Sequence, residues 1–111
     1  MSDVPNNNVA IVIKNLIMKN NVVLFIKGEK QEPRCGFSQF VVKVLDDLNV
    51  DFLDINVLAD DEMRQGIKDY SDWPTIPQLY IKGEFVGGCD IVREMFISGD
   101  LQSLLKSKGV M

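Results

Sequence analysis

The sequence predicts an α/β protein in which a four-stranded mixed sheet is flanked by helices, and three patterns lead to this prediction. Val22 to Ile26 is a continuous apolar run rich in β-branched residues, which is typical of a strand buried on both faces. The segment after Cys35 has the apolar spacing of one helix face, and Asp51 to Ile55 alternates as a strand does. Lys82-Gly83 then separates two strand-like runs. A βαβ unit followed by a β-hairpin is therefore expected.

Helices are predicted on both sides of the first strand. The polar segment Pro5 to Asn8 provides helix-start signals, and Asn20-Asn21 ends this first helix. Its apolar positions have helical spacing and are Val9, Ile13, Leu16 and Ile17. The helix after Cys35 is expected to stop at Asn49. Its apolar face is expected to consist of Phe37, Phe40, Val41, Val44, Leu45 and Leu48.

A third helix is expected to begin at Asp60-Asp61-Glu62, because acidic side chains stabilise the first turn of a helix. Its apolar positions are Met63, Ile67 and Tyr70, and the segment 71–74 closes it. The hairpin strands Gln78 to Ile81 and Glu84 to Val86 are followed by a helix from about Asp90 to Ile97, which Gly99 ends. Leu101, Leu104 and Leu105 mark a final helix. This order of elements is that of the thioredoxin-like architecture.

Composition limits the classes of function. The 111 residues are expected to form a single domain spanning 1–111. A net charge of −4 argues against a nucleic-acid partner. Neither a membrane span nor a signal peptide is expected, because no apolar run is long enough and Met1-Ser2-Asp3-Val4 lacks the regions of a leader. Two cysteines are too few for a disulfide framework, which favours a reducing compartment and a cytoplasmic location.

The chain contains no histidine, and this excludes several chemistries. Cys-His catalysis, zinc sites with imidazole ligands and histidine general bases all need that side chain. Two cysteines are also too few for a four-thiolate metal centre unless further sulfur comes from outside the chain. Thiol exchange and a shared metal centre remain.

Cys35 is the candidate reactive residue. It directly precedes the second predicted helix, where unpaired N–H groups and the helix dipole stabilise a thiolate. Ser38 stands where a Cys-x-x-Cys motif has its second cysteine, so the thiol has no resolving partner within its own turn. The alternative is an inert cysteine that begins a core helix. The neighbouring cations Lys27, Lys30 and Arg34 favour the reactive interpretation.

Four motifs identify the family that this chain resembles. They are Phe25-Ile26-Lys27-Gly28, Cys35-Gly36-Phe37-Ser38, Trp73-Pro74-Thr75-Ile76-Pro77-Gln78 and Gly87-Gly88-Cys89-Asp90. In this order, and over nearly the whole chain, they resemble the monothiol glutaredoxins with a Cys-Gly-Phe-Ser active site. The segment from Lys27 to Arg34 is predicted to be a polar loop, and dithiol glutaredoxins have a much shorter loop before the cysteine. The resemblance implies a thioredoxin-like fold and a glutathione site.

The resemblance also implies which residues bind glutathione. Lys27 would pair with a glutathione carboxylate and lower the pKa of Cys35, although a lysine at a strand end is more commonly only solvated. Thr75, Ile76 and Pro77 would present backbone groups to the extended tripeptide, with a cis peptide bond before Pro77. The alternative is an ordinary trans proline that opens an edge strand.

The last motif would hold the glutamyl end of glutathione. Gly88 and Cys89 would bring backbone N–H groups to its carboxylate, and Asp90 would face its amino group. Asp90 would serve equally well as a helix N-cap. Arg64 matches a family position that contacts the glycyl carboxylate, although an exposed helical arginine is usually only solvated. Cys89 is predicted to be dispensable for binding the 2Fe-2S cluster that members of this family can hold. Trp73 is expected to be a packing residue beside the site.

Two functions of different classes follow from the resemblance, and both need Cys35 and glutathione. In the first, two subunits each contribute Cys35 and one bound glutathione, and the four sulfurs hold a 2Fe-2S cluster that is passed to iron–sulfur apoproteins. The protein would be a monomer without the cluster and a homodimer with it, with a BolA-like protein as a further partner. In the second, the protein is a glutathione-dependent thiol-disulfide oxidoreductase. An adaptor without redox chemistry is a third alternative.

Overall fold

The computed structural model describes the backbone of residues 5–111 and the side chains of residues 8–111. Helices and strands alternate along most of this part of the chain. In order, the elements are α1 (Pro5–Lys19), β1 (Val22–Ile26), β2 (Gly28–Glu29), β3 (Glu32–Pro33), α2 (Gly36–Asp47), β4 (Leu53–Asn56), α3 (Asp61–Ser71), β5 (Gln78–Ile81), β6 (Glu84–Gly87), α4 (Cys89–Ser98) and α5 (Asp100–Ser107).

The main sheet has four strands in the order β4-β1-β5-β6. Strand β1 runs parallel to β4, with Val23 opposite Leu53, and antiparallel to β5, with Val23 opposite Tyr80. Strands β5 and β6 form the antiparallel hairpin. The predicted mixed sheet and its βαβ unit are therefore confirmed, and all five residues of β1 are buried as the apolar run indicated.

Helices cover both faces of the sheet. Because successive strand residues point to opposite faces, Leu24 and Ile26 pack into one core cluster and Val23 and Phe25 into the other. The first cluster includes side chains of α2, α4 and α5, and the second includes side chains of α1 and α3. The sheet is thus the middle of three layers, which is the thioredoxin-like arrangement predicted from the order of elements.

The segment before Cys35 differs from its predicted form. Residues 27–34 were expected to be a polar loop, but β2 and β3 pair there as a short antiparallel ribbon. Side chains of β4 fix this ribbon: the Gly28 N–H donates to Asn56 Oδ1 and the Lys30 N–H to Asp54 Oδ2, both at 2.9 Å. These acceptors are more than twenty residues away, so local pattern did not indicate them. Strand β4 also begins at Leu53, two residues later than predicted.

Two predicted core positions are exposed. Phe37 is 63% exposed in the first turn of α2, and Tyr70 is 39% exposed in the last turn of α3. Both lie where the helix surface has turned away from the sheet, so helical spacing alone overestimated the length of each buried face. Between residues 5 and 111, every helix is too short or too polar to span a membrane.

Candidate functional site

Cys35 lies where the sequence placed it, at the start of a helix. It is the N-cap of α2 and has extended backbone dihedral angles, with φ −143° and ψ 136°. Its side chain is half-buried and forms no disulfide. The position gives the sulfur access to solvent on one side and to the backbone N–H groups of the first helical turn on the other.

The first turn of α2 lowers the pKa of the Cys35 thiol. The largest cause is the backbone N–H of Ser38, which favours the thiolate; partial burial opposes it, and the N–H of Phe37 and the charge of Lys27 act in the same direction as Ser38. A lowered pKa increases the thiolate fraction at neutral pH, and the thiolate is both the nucleophile and the metal ligand. The predicted reactive cysteine therefore has the electrostatic surroundings that this role needs.

Ser38 has a structural role that the sequence did not indicate. It is fully buried, and its Oγ accepts a hydrogen bond of 3.2 Å from the backbone N–H of Lys27. This bond ties the first turn of α2 to the end of β1 and so fixes Cys35 relative to Lys27. Its hydroxyl also contributes to the lowered pKa of Cys35.

A cleft of about 350 Å³ lies beside Cys35, within the size range of small-ligand sites. Its lining comprises cationic, apolar and acidic side chains from several elements: Lys27, Phe37, Lys68, Trp73, Pro74, Thr75, Ile76, Pro77, Gly88, Cys89, Asp90 and Ile91. Seven of the predicted binding residues line this cleft, namely Lys27, Thr75, Ile76, Pro77, Gly88, Cys89 and Asp90. Cys35 is not itself a lining residue, but its charge interacts with those of the lining residues Lys27 and Cys89.

One wall of the cleft is the segment from Trp73 to Pro77. The Ile76–Pro77 peptide bond is cis, as predicted. The Trp73 ring packs against Phe85, with 5.8 Å between ring centroids, and it is 38% exposed towards the cleft. Trp73 is therefore the packing residue that was expected, and it also forms part of the cleft surface.

Gly88 packs directly against this wall. A Cβ atom there would lie 3.2 Å from the Pro77 carbonyl oxygen and 3.4 Å from Trp73 Nε1. A side chain at this position would therefore need the wall to shift by a few tenths of an ångström. Glycine lets the backbone at the start of α4 approach residues 73–77 closely.

Asp90 corrects one alternative from the sequence. It is not an N-cap, because α4 begins at Cys89 and Gly88 is the N-cap, without a side-chain capping bond. Asp90 lies in the first helical turn, where its carboxylate is 3.3 Å from the Arg93 guanidinium. The carboxylate is exposed and lines the cleft, and it is available to a cationic group there.

Cys89 differs electrostatically from Cys35. Burial raises the pKa of the Cys89 thiol, and the negative charges of Asp90 and of the Cys35 thiolate act in the same direction. The influence of Cys35 means that the two thiols are close enough for their charges to interact. Cys89 is thus held in its neutral thiol form under conditions where Cys35 ionises.

Of the two cationic residues Arg64 and Lys68 on α3, only Lys68 lines the cleft. Arg64 is not among the residues that line the cleft, and its guanidinium is 3.9 Å from Asp61 one turn earlier. Lys68, four residues later on the same face, lines the cleft, and the sequence analysis did not select it. The spacing of four residues from Arg64 was the available signal.

Comparisons with known proteins agree with this geometry. The glutaredoxin family model matches residues 22–86, which contain Cys35 and all of the four-stranded sheet except its last residue. A probable monothiol glutaredoxin 2 of Rickettsia typhi is 57% identical over 96 residues, covering 86% of each chain. The chain belongs to the monothiol glutaredoxins. The match to the family model contains the first three of the four motifs, and the similarity to the Rickettsia typhi protein extends over 86% of this monothiol glutaredoxin.

Solved structures confirm the thioredoxin-like fold of this monothiol glutaredoxin. Reduced poplar apo GrxS14 is 48% identical with a TM-score of 0.80, over 91% of this chain and 93% of that one. A buckwheat glutaredoxin–glutathione complex superposes with a TM-score of 0.87 over 100% of this chain and 99% of that one, at 24% identity. At that identity the likeness concerns the fold.

Proposed function

We propose that this monothiol glutaredoxin binds glutathione in the cleft beside Cys35 and shares a 2Fe-2S cluster with a second subunit for transfer to iron–sulfur apoproteins. The observation that supports this most is the pairing of one activated thiol with an open cleft. Cys35 has a lowered pKa at the start of α2. Lys27 connects the two features, because its charge helps to lower the pKa of Cys35 and its side chain lines the cleft.

The groups lining the cleft suit glutathione. The tripeptide carries two carboxylates, one amino group and an extended backbone. Lys27 and Lys68 offer cations for the carboxylates, and Asp90 offers an anion for the amino group. The backbone of Thr75 would accommodate the peptide in the manner of an added strand, with the backbone of Gly88 beside it in the cleft lining. The buckwheat complex supports this use of the fold, since that protein carries glutathione.

The donor set supports a shared cluster. Within residues 5–111, no three Cys, Asp or Glu side chains lie together as they would around a metal ion. A 2Fe-2S cluster needs four ligands, usually thiolates. With Cys35 as the protein ligand, glutathione would supply the second thiolate of each subunit, and a second copy of the chain would supply the remaining pair. A ligand set that is half exogenous favours release of the cluster to an acceptor.

A second candidate function uses the same thiolate. In this oxidoreductase cycle, the Cys35 thiolate attacks the glutathione sulfur of a mixed disulfide, and the substrate leaves as a thiolate. A second glutathione thiolate then attacks the Cys35–glutathione disulfide and releases oxidised glutathione and Cys35. The lowered pKa of Cys35 favours this chemistry as well. Ser38 leaves the cycle dependent on glutathione as the resolving thiol.

Further parts of the proposal concern the molecule in the cell. We place a single glutaredoxin domain over residues 1–111 in the cytoplasm, as a monomer without cluster and a homodimer with it. Iron–sulfur apoproteins and a BolA-like protein are the proposed partners. The two cysteines, both free in the structure, are compatible with a reducing compartment.

Anaerobic reconstitution distinguishes the two functions. The wild-type protein and Cys35→Ser are incubated with iron, sulfide and glutathione, and iron and sulfide per chain are measured with the visible absorption spectrum. The cluster function predicts a brown wild-type protein and a colourless variant. A colourless wild-type protein that reduces a glutathione mixed disulfide in a parallel assay would instead establish the oxidoreductase function.

A further inference from the structure

Gln78 is a polar side chain that is completely buried next to the cleft. It is 0% exposed and is the first residue of β5. Burying an amide costs free energy unless its polar atoms are hydrogen-bonded. The Nε2 atom donates to the carbonyl oxygens of Trp73 and Thr75, at 3.1 and 3.2 Å. The Oε1 atom accepts a hydrogen bond of 3.4 Å from the Tyr80 hydroxyl.

The two carbonyl groups belong to the cleft wall formed by residues 73–77. This segment has neither helix nor strand, and Trp73, Pro74 and Thr75 are exposed. Among the residues that the structure describes, no backbone–backbone hydrogen bond involves Pro74 to Pro77. The buried Gln78 amide therefore supplies hydrogen bonds that the backbone of this wall does not supply for itself.

The Tyr80 hydroxyl lies on the oxygen side of the Gln78 amide. Burial raises the pKa of Tyr80 to about 12, so its hydroxyl keeps its proton at neutral pH and can donate to Oε1. The NH₂ group on the other side of the amide faces the two carbonyls. Among side chains of this size, glutamine alone offers both an acceptor on one side and two donors on the other; ionised glutamate only accepts, and methionine has no N–H or O–H.

We propose that Gln78 is a positioning residue for the glutathione cleft. Gln78 does not line the cleft, so it acts through Trp73 and Thr75, whose carbonyls it holds from beneath. The amide keeps the wall formed by residues 73–77 at a fixed place and so preorganises the cleft for the extended ligand. The identity of the ligand rests on the proposed function above.

The test compares Gln78→Met with Tyr80→Phe. Methionine keeps the approximate volume and removes both donors, whereas phenylalanine keeps the ring and leaves both donors in place. Binding of S-methylglutathione, which has no free thiol, is measured by calorimetry. We expect Gln78→Met to raise the Kd about tenfold, equivalent to about 1.4 kcal/mol, and Tyr80→Phe to raise it by less than about half that free energy.

Fluorescence adds a readout that a residue important only for stability would not change. Trp73 is the single tryptophan of the chain and lies in the wall itself. We expect stronger acrylamide quenching of ligand-free Gln78→Met than of the wild-type protein or Tyr80→Phe. Thermal unfolding of each variant is recorded in parallel. If Gln78→Met does not fold, Gln78→Leu takes its place, because leucine is also apolar, has a similar volume and lacks the two donors.

Two results have distinct meanings. A lower unfolding temperature with unchanged Kd and unchanged Trp73 quenching would overturn the proposal and make Gln78 an ordinary core residue. If the wild-type protein does not bind S-methylglutathione, the proposed function fails. The quenching comparison then still decides whether Gln78 positions the wall.

Discussion

The two cysteines are close enough for their charges to interact but have opposite ionisation behaviour. The N–H of Ser38 lowers the pKa of Cys35, whereas burial raises that of Cys89. Near neutral pH the thiolate is therefore concentrated on Cys35. This difference supports the proposed role of Cys35 as nucleophile and ligand and favours a neutral thiol at Cys89, although both side chains are half-buried.

Alkylation should reveal this order directly. A lowered pKa means that the thiolate persists as pH falls, so Cys35 should react with iodoacetamide at lower pH than Cys89. Rates are followed for each cysteine by mass spectrometry of peptides from about pH 6 to 9. Cys35→Ser serves as the control for Cys89, and its loss of one thiolate should make Cys89 slightly easier to ionise. Faster alkylation of Cys89 than of Cys35 near neutral pH would contradict the assignment.

Cys89→Ser should retain the cluster. Serine preserves the small volume beside the cleft, and the raised pKa of Cys89 argues against a ligand role. We expect iron and sulfide per chain close to the wild-type values after anaerobic reconstitution. Cys35→Ser, which should contain neither, is the matched control. Complete loss of cluster from Cys89→Ser would make this residue a ligand.

Lys27→Glu should weaken glutathione binding and cluster stability together, because one charge serves the thiolate and the ligand. The loss should be smaller at higher salt, since screening acts over about 10 Å at 0.1 M ionic strength and Lys27 is partly exposed. Calorimetry at two salt concentrations measures it. Lys14→Glu, an equal charge change on an exposed lysine of α1, is the control. Equal affinities of wild type and Lys27→Glu would show that Lys27 is merely solvated.

The sequence indicated most of the residues that line the cleft, but not the hydrogen bonds that hold them in place. Cys35 was predicted from its position at the start of a helix, whereas Lys27 and Asp90, which line the cleft, were predicted from the family resemblance. Ser38 and Gln78 were not, because their importance depends on hydrogen bonds to Lys27 and to the Trp73–Pro77 wall. Such bonds form only when the fold brings distant or irregular segments together.

At the scale of elements, the close contact of α1 with α3 depends on one glycine. A Cβ atom on Gly66 would lie 2.2 Å from Val9 Cγ1 and 3.4 Å from Ile13 Cδ1. Val9 is β-branched and has little rotamer freedom in a helix, so it cannot move aside easily. The missing side chain at position 66 therefore lets the two helices approach each other on the same face of the sheet.

Gly66→Ala should destabilise the protein in spite of the better helix propensity of alanine. The propensity gain is about 1 kcal/mol. Overpacking costs about 1–3 kcal/mol, and the 2.2 Å approach is severe enough for this cost to prevail. Urea unfolding measures the change. Gly66→Ala should lower the free energy of unfolding by less in the Val9→Ala background than in the wild type, because the side chain that the new Cβ would meet is then smaller. An equal loss in both backgrounds would show that the two residues do not interact.

Elements with strong periodicity were predicted more accurately than ribbons and short turns. The apolar run of β1 and the spacing of α2 each identified the correct element, and Gly99 ended α4 as expected. The β2–β3 ribbon was missed because its hydrogen bonds run to Asn56 and Asp54 on another strand. The sequence pattern of residues 27–34 alone does not indicate hydrogen-bond partners that lie more than twenty residues away in the chain.

At the scale of the whole molecule, the cleft and Cys35 lie beside exposed apolar side chains. Phe37, Trp73 and Ile91 line the cleft and are 63%, 38% and 38% exposed. In the proposed cluster-bound state, a second copy of the chain and two glutathione molecules would meet at this surface. Assembly would then depend on the cluster and glutathione together, since each subunit offers one activated thiol.

Size-exclusion chromatography after anaerobic reconstitution tests this central claim most directly. Wild-type protein is reconstituted with and without glutathione, and the eluate is monitored at protein and cluster wavelengths, with Cys35→Ser as control. We expect the cluster absorbance to elute with a dimer that contains glutathione, and the protein without glutathione to elute largely as a monomer with little cluster. Cluster that remains on Cys35→Ser, or that elutes with a monomer free of glutathione, would contradict the account.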